Sequence, residues 1–493
     1  MTLSGAADAQ NIPARLDRLP WSRWHWRIVL ALGAAWLLGG FAVTLAGTLA
    51  STLQRPDTLA LSDAEFGWIA SVHGVGAILG ALLFGHLADR LGRKRLLLLT
   101  LSLYTTATVA SAFAFDSGFF ALTRFVAGLS LGGGFAAIYA AIAELVPARV
   151  RGRASLALGA GFWLGAALGG VCSQWLLDVF GPRDGWRAGF ALGGLLAIAI
   201  PLVRRHVPES PRWLLAQGHA GEARRIVARI ELEVASRHGT LAPVAASADL
   251  RDRTVPAAAV AAALHALVGR FGRRSLVVLT LMVAQAFFYD AIVLGQARLL
   301  TRFQRVPETR VGLYVLVLAL AAALGPLLLG PLFDRAGRRR IIALTCALST
   351  LGLALTGWVF AENGLDARRL TLCCSVVFFF ASAAASSAYL TASEVFPLEM
   401  RAFAIGAFHA VGMLVGGFAA PALFETLAGS GDRGLVAIVY AIGAALMLLA
   451  GLVAWRHAAA AERAALERIA PSRAADAAYP PHAVTREARH SSG

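Results

Sequence analysis

Gly85-His86-Leu87-Ala88-Asp89-Arg90-Leu91-Gly92-Arg93-Lys94-Arg95 closes one long apolar run and opens the next. Gly330-Pro331-Leu332-Phe333-Asp334-Arg335-Ala336-Gly337-Arg338-Arg339-Arg340 does the same 245 residues later. A second signature behaves likewise. Glu144-Leu145-Val146-Pro147-Ala148-Arg149-Val150-Arg151-Gly152 returns 250 residues on as Glu394-Val395-Phe396-Pro397-Leu398-Glu399-Met400-Arg401-Ala402. Two independent motifs repeated at nearly one offset indicate duplicated halves.

The runs that these motifs join set the fold class. Of 493 residues, 58% are hydrophobic and only 15% charged, and the mean hydropathy is +0.66. A soluble chain could not hide so much apolar surface under a polar skin. Disorder, a disulfide scaffold and a nucleic-acid module are excluded on the same grounds. About 20 apolar residues cross the hydrocarbon core as a helix, and the chain holds twelve such stretches, six within 28–203 and six within 276–455. None alternates with a period of two, which excludes a membrane barrel. The expected architecture is therefore all-α and integral to the membrane, with twelve transmembrane helices in two pseudo-symmetric six-helix bundles.

Charge then orients the chain. The formal net charge is +16, with 45 Lys+Arg against 29 Asp+Glu. With both termini cytoplasmic, the inward segments carry 34 basic and 17 acidic residues, and the remainder carries 11 and 12. This asymmetry follows the positive-inside rule, so the excess reports topology and not an anionic partner. The expected location is the cytoplasmic (inner) membrane. Residues 1–27 form a basic cytoplasmic tail with no short apolar core before a cleavage site, so no cleaved signal peptide is expected. The central cytoplasmic loop, 204–275, holds twelve arginines and six acids (Glu209, Glu222, Glu231, Glu233, Asp249 and Asp252). Helical amphipathic patterning runs through Gly221 to Ile230. The cytoplasmic tail 456–493 opens as an Ala/Glu/Arg helix and passes into Pro, Ser, His and Gly. Cys172, Cys346, Cys373 and Cys374 lie in apolar runs without ligand spacing and read as small core residues.

The repeated motifs have a physical task. A helix ending in Gly-x-x-x-Asp-Arg-x-Gly-Arg must turn tightly and start its successor at once. Gly85, Gly92 and Gly337 permit the approach and the turn, and Asp89 and Asp334 can accept hydrogen bonds at a helix start. Arg90, Arg93, Arg335 and Arg338 remain at the interface, facing acids or anionic lipid. Pairing Glu144 with Arg151 and Glu394 with Arg401, and adding Glu209 and Arg212 of Pro208-Glu209-Ser210-Pro211-Arg212-Trp213-Leu214, gives an ion-pair mesh. If the mesh forms in one conformation only, it is a gate latch.

On these residues the chain resembles the major facilitator superfamily, near its sugar-porter-like and organic-acid:proton symporter branches. Arg124 to Gly133 opens the fourth helix in that family's manner, and Pro208 to Leu214 is similar to the segment after the sixth helix of sugar porters. The resemblance covers about residues 20–460 and implies two bundles around a central cavity with alternating access. Proton-coupled relatives carry acids in a first-helix pattern like Trp-x-Leu-Asp-Gly-x-Glu; the run Trp36 to Thr44 has none. The seventh helix reads Gln285-Ala286-Phe287-Phe288-Tyr289-Asp290, without the sugar-porter glycine.

Asp290 is the informative residue of that helix. A carboxyl at mid-membrane must face water, find a partner or hold its proton, so Asp290 is the expected proton-coupling group. Gln285, Tyr289, Gln296, Tyr139, Trp163, Tyr389 and Thr391 are the expected cavity residues, since such sites combine aromatic walls with a few donors and acceptors. His73 and His409 rank below Asp290, as satisfied core residues, and Arg124 is expected to snorkel at the outer end of the fourth helix.

The expected function is secondary active, proton-coupled uptake of a small organic solute, an organic acid or sugar-like metabolite. Efflux by antiport, uncoupled exchange and a non-transporting membrane sensor are the alternatives. Neither a phosphate loop, a metal-ligand cluster nor a nucleophile–base pair is present in a recognisable context, so no enzyme and no cofactor are expected. The expected partners are the solute, protons and membrane lipid, with no nucleic acid, and the expected state is a monomer.

Overall fold

The computed structural model describes residues 11–244, 258–293, 295–296 and 299–471; Asp249, Asp252 and the end of the C-terminal tail lie outside them. Among the described residues twelve long helices are present. They are α1 (Arg23–Thr48), α2 (Asp63–Leu91), α3 (Arg93–Ser111), α4 (Ser117–Leu145), α5 and α6 (151–180 and 182–206), α7 (272–293 and 299–303), α8 (Glu308–Arg335), α9 (Arg338–Ala361), α10 (Ala367–Val395), α11 (401–429) and α12 (Arg433–His457). By length and apolar composition alone, ten segments among the described residues could cross a membrane. One of them, Ala148–His206, is folded back at Gly181, whose φ of 69° precedes Pro182 and separates α5 from α6. The twelfth is α3, whose serines, threonines and tyrosine lower its hydropathy.

Local chemistry marks the helix starts. Ser62 and Glu65 form a capping box at α2. Asp116 and Asp366 cap α4 and α10, each accepting the third residue's N–H at 2.7 Å. These two caps, 250 residues apart, extend the duplication beyond the quoted motifs.

Packing relies on glycine at the close crossings. A Cβ on Gly80 would stand 1.8 Å from the Leu129 carbonyl oxygen, and one on Gly165 would stand 1.7 Å from that of Leu37, so α2–α4 and α1–α5 touch backbone to backbone. The halves meet where α2 crosses α11 and α5 crosses α8; a Cβ on Gly406 would lie 2.1 Å from the Ala81 oxygen. Large apolar side chains such as Leu30, Leu83, Leu328, Leu351 and Trp358 are exposed on the outer surface, as lipid-facing residues are.

Four short helices gather on the face that carries the Asp-Arg turns, hereafter the basic face. They are Ile12–Asp17, Pro211–Ala216, Ala220–His238 and Val260–Val268. The amphipathic reading of 221–230 holds: Ala223, Val227, Ile230 and Val234 are buried at helical spacing. The tail after α12 differs from the expected Ala/Glu/Arg helix. The chain leaves the helix at Ala458, has a positive φ at Arg463, and regains only Leu466–Ile469. The reason is a set of side-chain contacts described below.

Candidate functional site

Two constellations lie on the axis between the halves. The first closes the basic face. Asp89, at the end of α2, accepts the N–H groups of Ala402 and Phe403 at 3.2 and 2.9 Å, at the start of α11. Asp334, at the end of α8, accepts those of Gly152 and Arg153, both at 2.9 Å, at the start of α5. Each aspartate thus caps a helix of the opposite half, where the helix dipole favours a negative charge. Asp89 also pairs with Arg93, and Asp334 with Arg338, each at 2.9 Å. The turns behind them need glycine, since Gly92 and Gly337 both have φ +99°. Gly85 meets α11, where a Cβ would stand 2.9 Å from the Ala402 oxygen. Arg90 and Arg335 are exposed on the same turns.

The glutamates take partners other than those next along the chain. Arg401 pairs with Glu144 at 3.2 Å and Arg151 with Glu394 at 3.6 Å, both across the halves, whereas Arg93 and Arg338 bind Glu144 and Glu394 within their own half, each at 3.0 Å. The sequence reading, Glu144 with Arg151 and Glu394 with Arg401, is corrected by this exchange. Pro147 and Pro397 turn the chain between glutamate and arginine, and the pseudo-twofold brings each arginine to the other half's acid. All of these side chains are almost fully buried, where a charge persists only when paired.

Glu209 accepts the N–H groups of Arg93 at 2.8 Å and Lys94 at 3.2 Å, capping α3 beyond the Gly92 turn. Burial raises its carboxyl above the usual glutamate range, with the Ser210 and Lys94 N–H groups pulling the other way. Glu462 does the same for α9, accepting the Arg338 N–H at 3.3 Å beyond Gly337. Arg212 joins Asp17 at 3.1 Å to Glu467 at 2.6 Å. Burial opposes its charge, but Glu467 and Asp17 hold the guanidinium more firmly protonated than usual. Asp17, Glu462 and Glu467 were not singled out in the sequence. The signal for Glu462 was its place after α12, matching that of Glu209 after α6. These contacts bend the tail out of a continuous helix.

The second constellation is aromatic and central. Tyr139 of α4 stacks on Tyr389 of α10, centroids 4.6 Å apart and planes 10° apart. Phe135 joins both Tyr389 and His409, and Trp36 stands edge-on to Phe135 and Tyr139. Trp163 of α5 meets Tyr289 of α7 edge to face at 5.4 Å. A polar thread runs through the cluster: Gln285 Nε2 lies 3.3 Å from Tyr389 Oη, which lies 2.9 Å from His409 Nδ1.

Asp290 sits beside this cluster in a π-helical turn of α7, Phe288–Val293, packed against a second π-helical turn, Met413–Phe418 of α11. Its carboxyl is buried, and Oδ2 has no hydrogen-bond partner. A Cβ on Gly417 would lie 3.3 Å from that oxygen, so the carboxyl abuts a stretch of α11 without a side chain. π-Turns inside α-helices recur at functional positions.

Not every expected cavity residue joins the cluster. Gln296 lies within the second half, where its Oε1 accepts from Cys374 Sγ at 3.5 Å. Thr391 donates to the Ser387 carbonyl of its own helix at 2.7 Å. His73 contacts the Arg124 carbonyl through Nδ1 at 2.9 Å, a satisfied packing position. Arg124 does not snorkel. Its side chain is buried, bonded to Ser111 Oγ at 2.7 Å, with the guanidinium 4.9 Å from the Phe190 ring. The aromatic ring and hydroxyl offer a nearer partner than the headgroups.

A family model described as "Sugar (and other) transporter" matches residues 33–469. A niacin transporter of Acinetobacter baylyi is 31% identical over 83% of this chain and 89% of its own length. A gallate transporter of Pseudomonas putida is 30% identical over 82% of this chain and 87% of its own length. Among solved structures, a proton:xylose symporter bound to 6-bromo-6-deoxy-D-glucose superposes with a TM-score of 0.74, covering 91% of this chain and 98% of that one at 19% identity.

Proposed function

The chain belongs to the sugar (and other) transporter family, and on that premise we propose that it carries a small aromatic carboxylate into the cell together with a proton. The relatives named for niacin and gallate carry planar rings bearing a carboxylate, and the aromatic side chains Tyr139, Tyr389, Phe135 and Trp163 suit such a ring. The observation that carries the coupling is the buried Asp290 Oδ2 without a partner.

The electrostatics give the order of events. Two carboxylates about 7 Å apart repel by about 2–3 kcal/mol at an effective dielectric near 20. An anionic solute therefore enters the site when Asp290 is protonated and is rejected when it is ionised. Solute and proton travel together, although the first helix has no acid. The basic face, oriented to the cytoplasm by its arginines, is closed here by the Asp89, Asp334, Glu144 and Glu394 contacts. Solute arrives from the opposite face, and the bundles 28–203 and 276–455 rock to break those contacts. Release follows in the cytoplasm, on which side both termini lie. The protein resides in the inner membrane.

Proteoliposomes with an imposed pH gradient, supplied with labelled nicotinate, benzoate or gallate, test this reading. Wild type accumulates at least one of the three. Asp290→Asn loses gradient-driven accumulation while keeping solute exchange at equal pH. Accumulation by Asp290→Asn equal to wild type would overturn the proton role.

A further inference from the structure

We infer that His409 recognises the solute's carboxylate, donating from Nε2, with its tautomer set by Tyr389 and Gln285. This rests on the aromatic-carboxylate reading above. It assigns the one task that the aromatic faces and Asp290 leave open, which is to hold the anion.

The hydrogen-bond thread has a direction. Gln285 carries its amide nitrogen toward both Tyr389 Oη, at 3.3 Å, and Met282 Sδ, at 3.7 Å. Both are acceptors, and the reverse orientation would set the amide oxygen against the sulfur lone pairs. Tyr389 Oη thus receives from Gln285, and its single proton goes to His409 Nδ1, 2.9 Å away. A neutral imidazole accepting at Nδ1 carries its hydrogen on Nε2. His409 is thereby held as a donor by two residues that are themselves engaged.

The surroundings favour a carboxylate as the acceptor for that N–H. The His409 ring centroid lies 4.6 Å from Phe135 and 5.9 Å from Tyr389, against the aromatic faces suited to the solute ring. The acid and base described beside these rings are Asp290 and His409, both buried. A protonated Asp290 removes the repulsion, and the His409 N–H supplies the attraction. A neutral amide of the same ring offers a weaker acceptor to the same donor.

The test compares nicotinate with nicotinamide, and benzoate with benzamide, as competitors of uptake in proteoliposomes. Wild type prefers the acid of at least one pair. His409→Phe, which keeps a ring and removes the donor, weakens that acid by about 10–100-fold, while inhibition by the amide changes by less than about threefold. His409→Gln, whose amide can accept from Tyr389 and still donate, restores most of the preference. An acid preference undiminished in His409→Phe would overturn the assignment, as would an equal loss of acid and amide, which is the mark of a merely structural histidine. If wild type takes up solutes but discriminates neither pair, the carboxylate assignment is overturned and the transporter reading stands. If wild type handles none of the four and accumulates no gallate, the aromatic-carboxylate reading itself falls, and the His409 assignment with it.

Discussion

The Asp89 carboxylate accepts the Phe403 backbone N–H at 2.9 Å, so the last turn of α2 in one half caps the first turn of α11 in the other. Asp334 and Arg153 repeat the contact at the same distance. In the proposed alternating-access cycle such a cap is made only while the basic face is closed, so it would favour that conformation over the other.

Replacing Asp89 with Asn keeps an acceptor but removes the charge from the α11 dipole and from Arg93. The expected cost to the closed state is about 1–2 kcal/mol, which is about a 5- to 30-fold shift in population. Cysteines placed along the basic-face side of α5 and α11 should react faster with a membrane-impermeant thiol reagent in inside-out vesicles. Unchanged labelling in Asp89→Asn and in Asp89→Asn/Asp334→Asn would refute the role.

The exchange of partners gives a double-mutant prediction. Glu144 and Arg401, paired at 3.2 Å, should show a coupling of about 1–3 kcal/mol in thermal stability in detergent. Glu144 and Arg151, neighbours along the chain but not a pair, should be additive within about 0.5 kcal/mol. The reverse pattern would restore the pairing read from sequence.

Helix contact through glycine is testable by one methyl group. Gly80→Ala places a Cβ 1.8 Å from the Leu129 oxygen, which α2 and α4 can relieve only by moving apart. A loss of at least about 1–3 kcal/mol is expected, read as lost expression or a lowered melting temperature. Gly67→Ala, on the same helix with nothing within 4 Å, should be tolerated.

The bridge through Arg212 predicts a further asymmetry. Glu467→Gln leaves Arg212 with Asp17, whereas Arg212→Ala leaves Glu467 without this cation and Asp17 with Arg151 alone, at 3.7 Å. Removing the shared cation should cost more than removing one acid, by about 1–3 kcal/mol. Melting temperatures of the two variants compare them directly, and equal losses would argue against a shared bridge.

Much of this protein was decided by local chemistry. Hydropathy fixes a spanning helix because each segment must satisfy its own backbone in lipid, and the repeated Asp-Arg turns and the Glu-x-x-Pro signatures reveal the duplication without any contact being known. The amphipathic run 221–230 is legible for the same reason. The π-turn that houses Asp290, the departure of Arg124 from the interface, and the tail bent around Glu462 and Glu467 were not.

The tertiary structure decided who pairs with whom. Arg401 lies 257 positions from Glu144, and Phe403 lies 314 from Asp89, yet they touch because the pseudo-twofold sets each helix end of one half against a helix start of the other. Glu144 and Arg151 are seven residues apart, and no local rule tells that the arginine turns away to Glu394. His409 in isolation reads as one more buried histidine; only the fold sets its Nδ1 2.9 Å from Tyr389 Oη. Hydropathy is a sum over one segment, whereas partnership depends on where distant segments are held together.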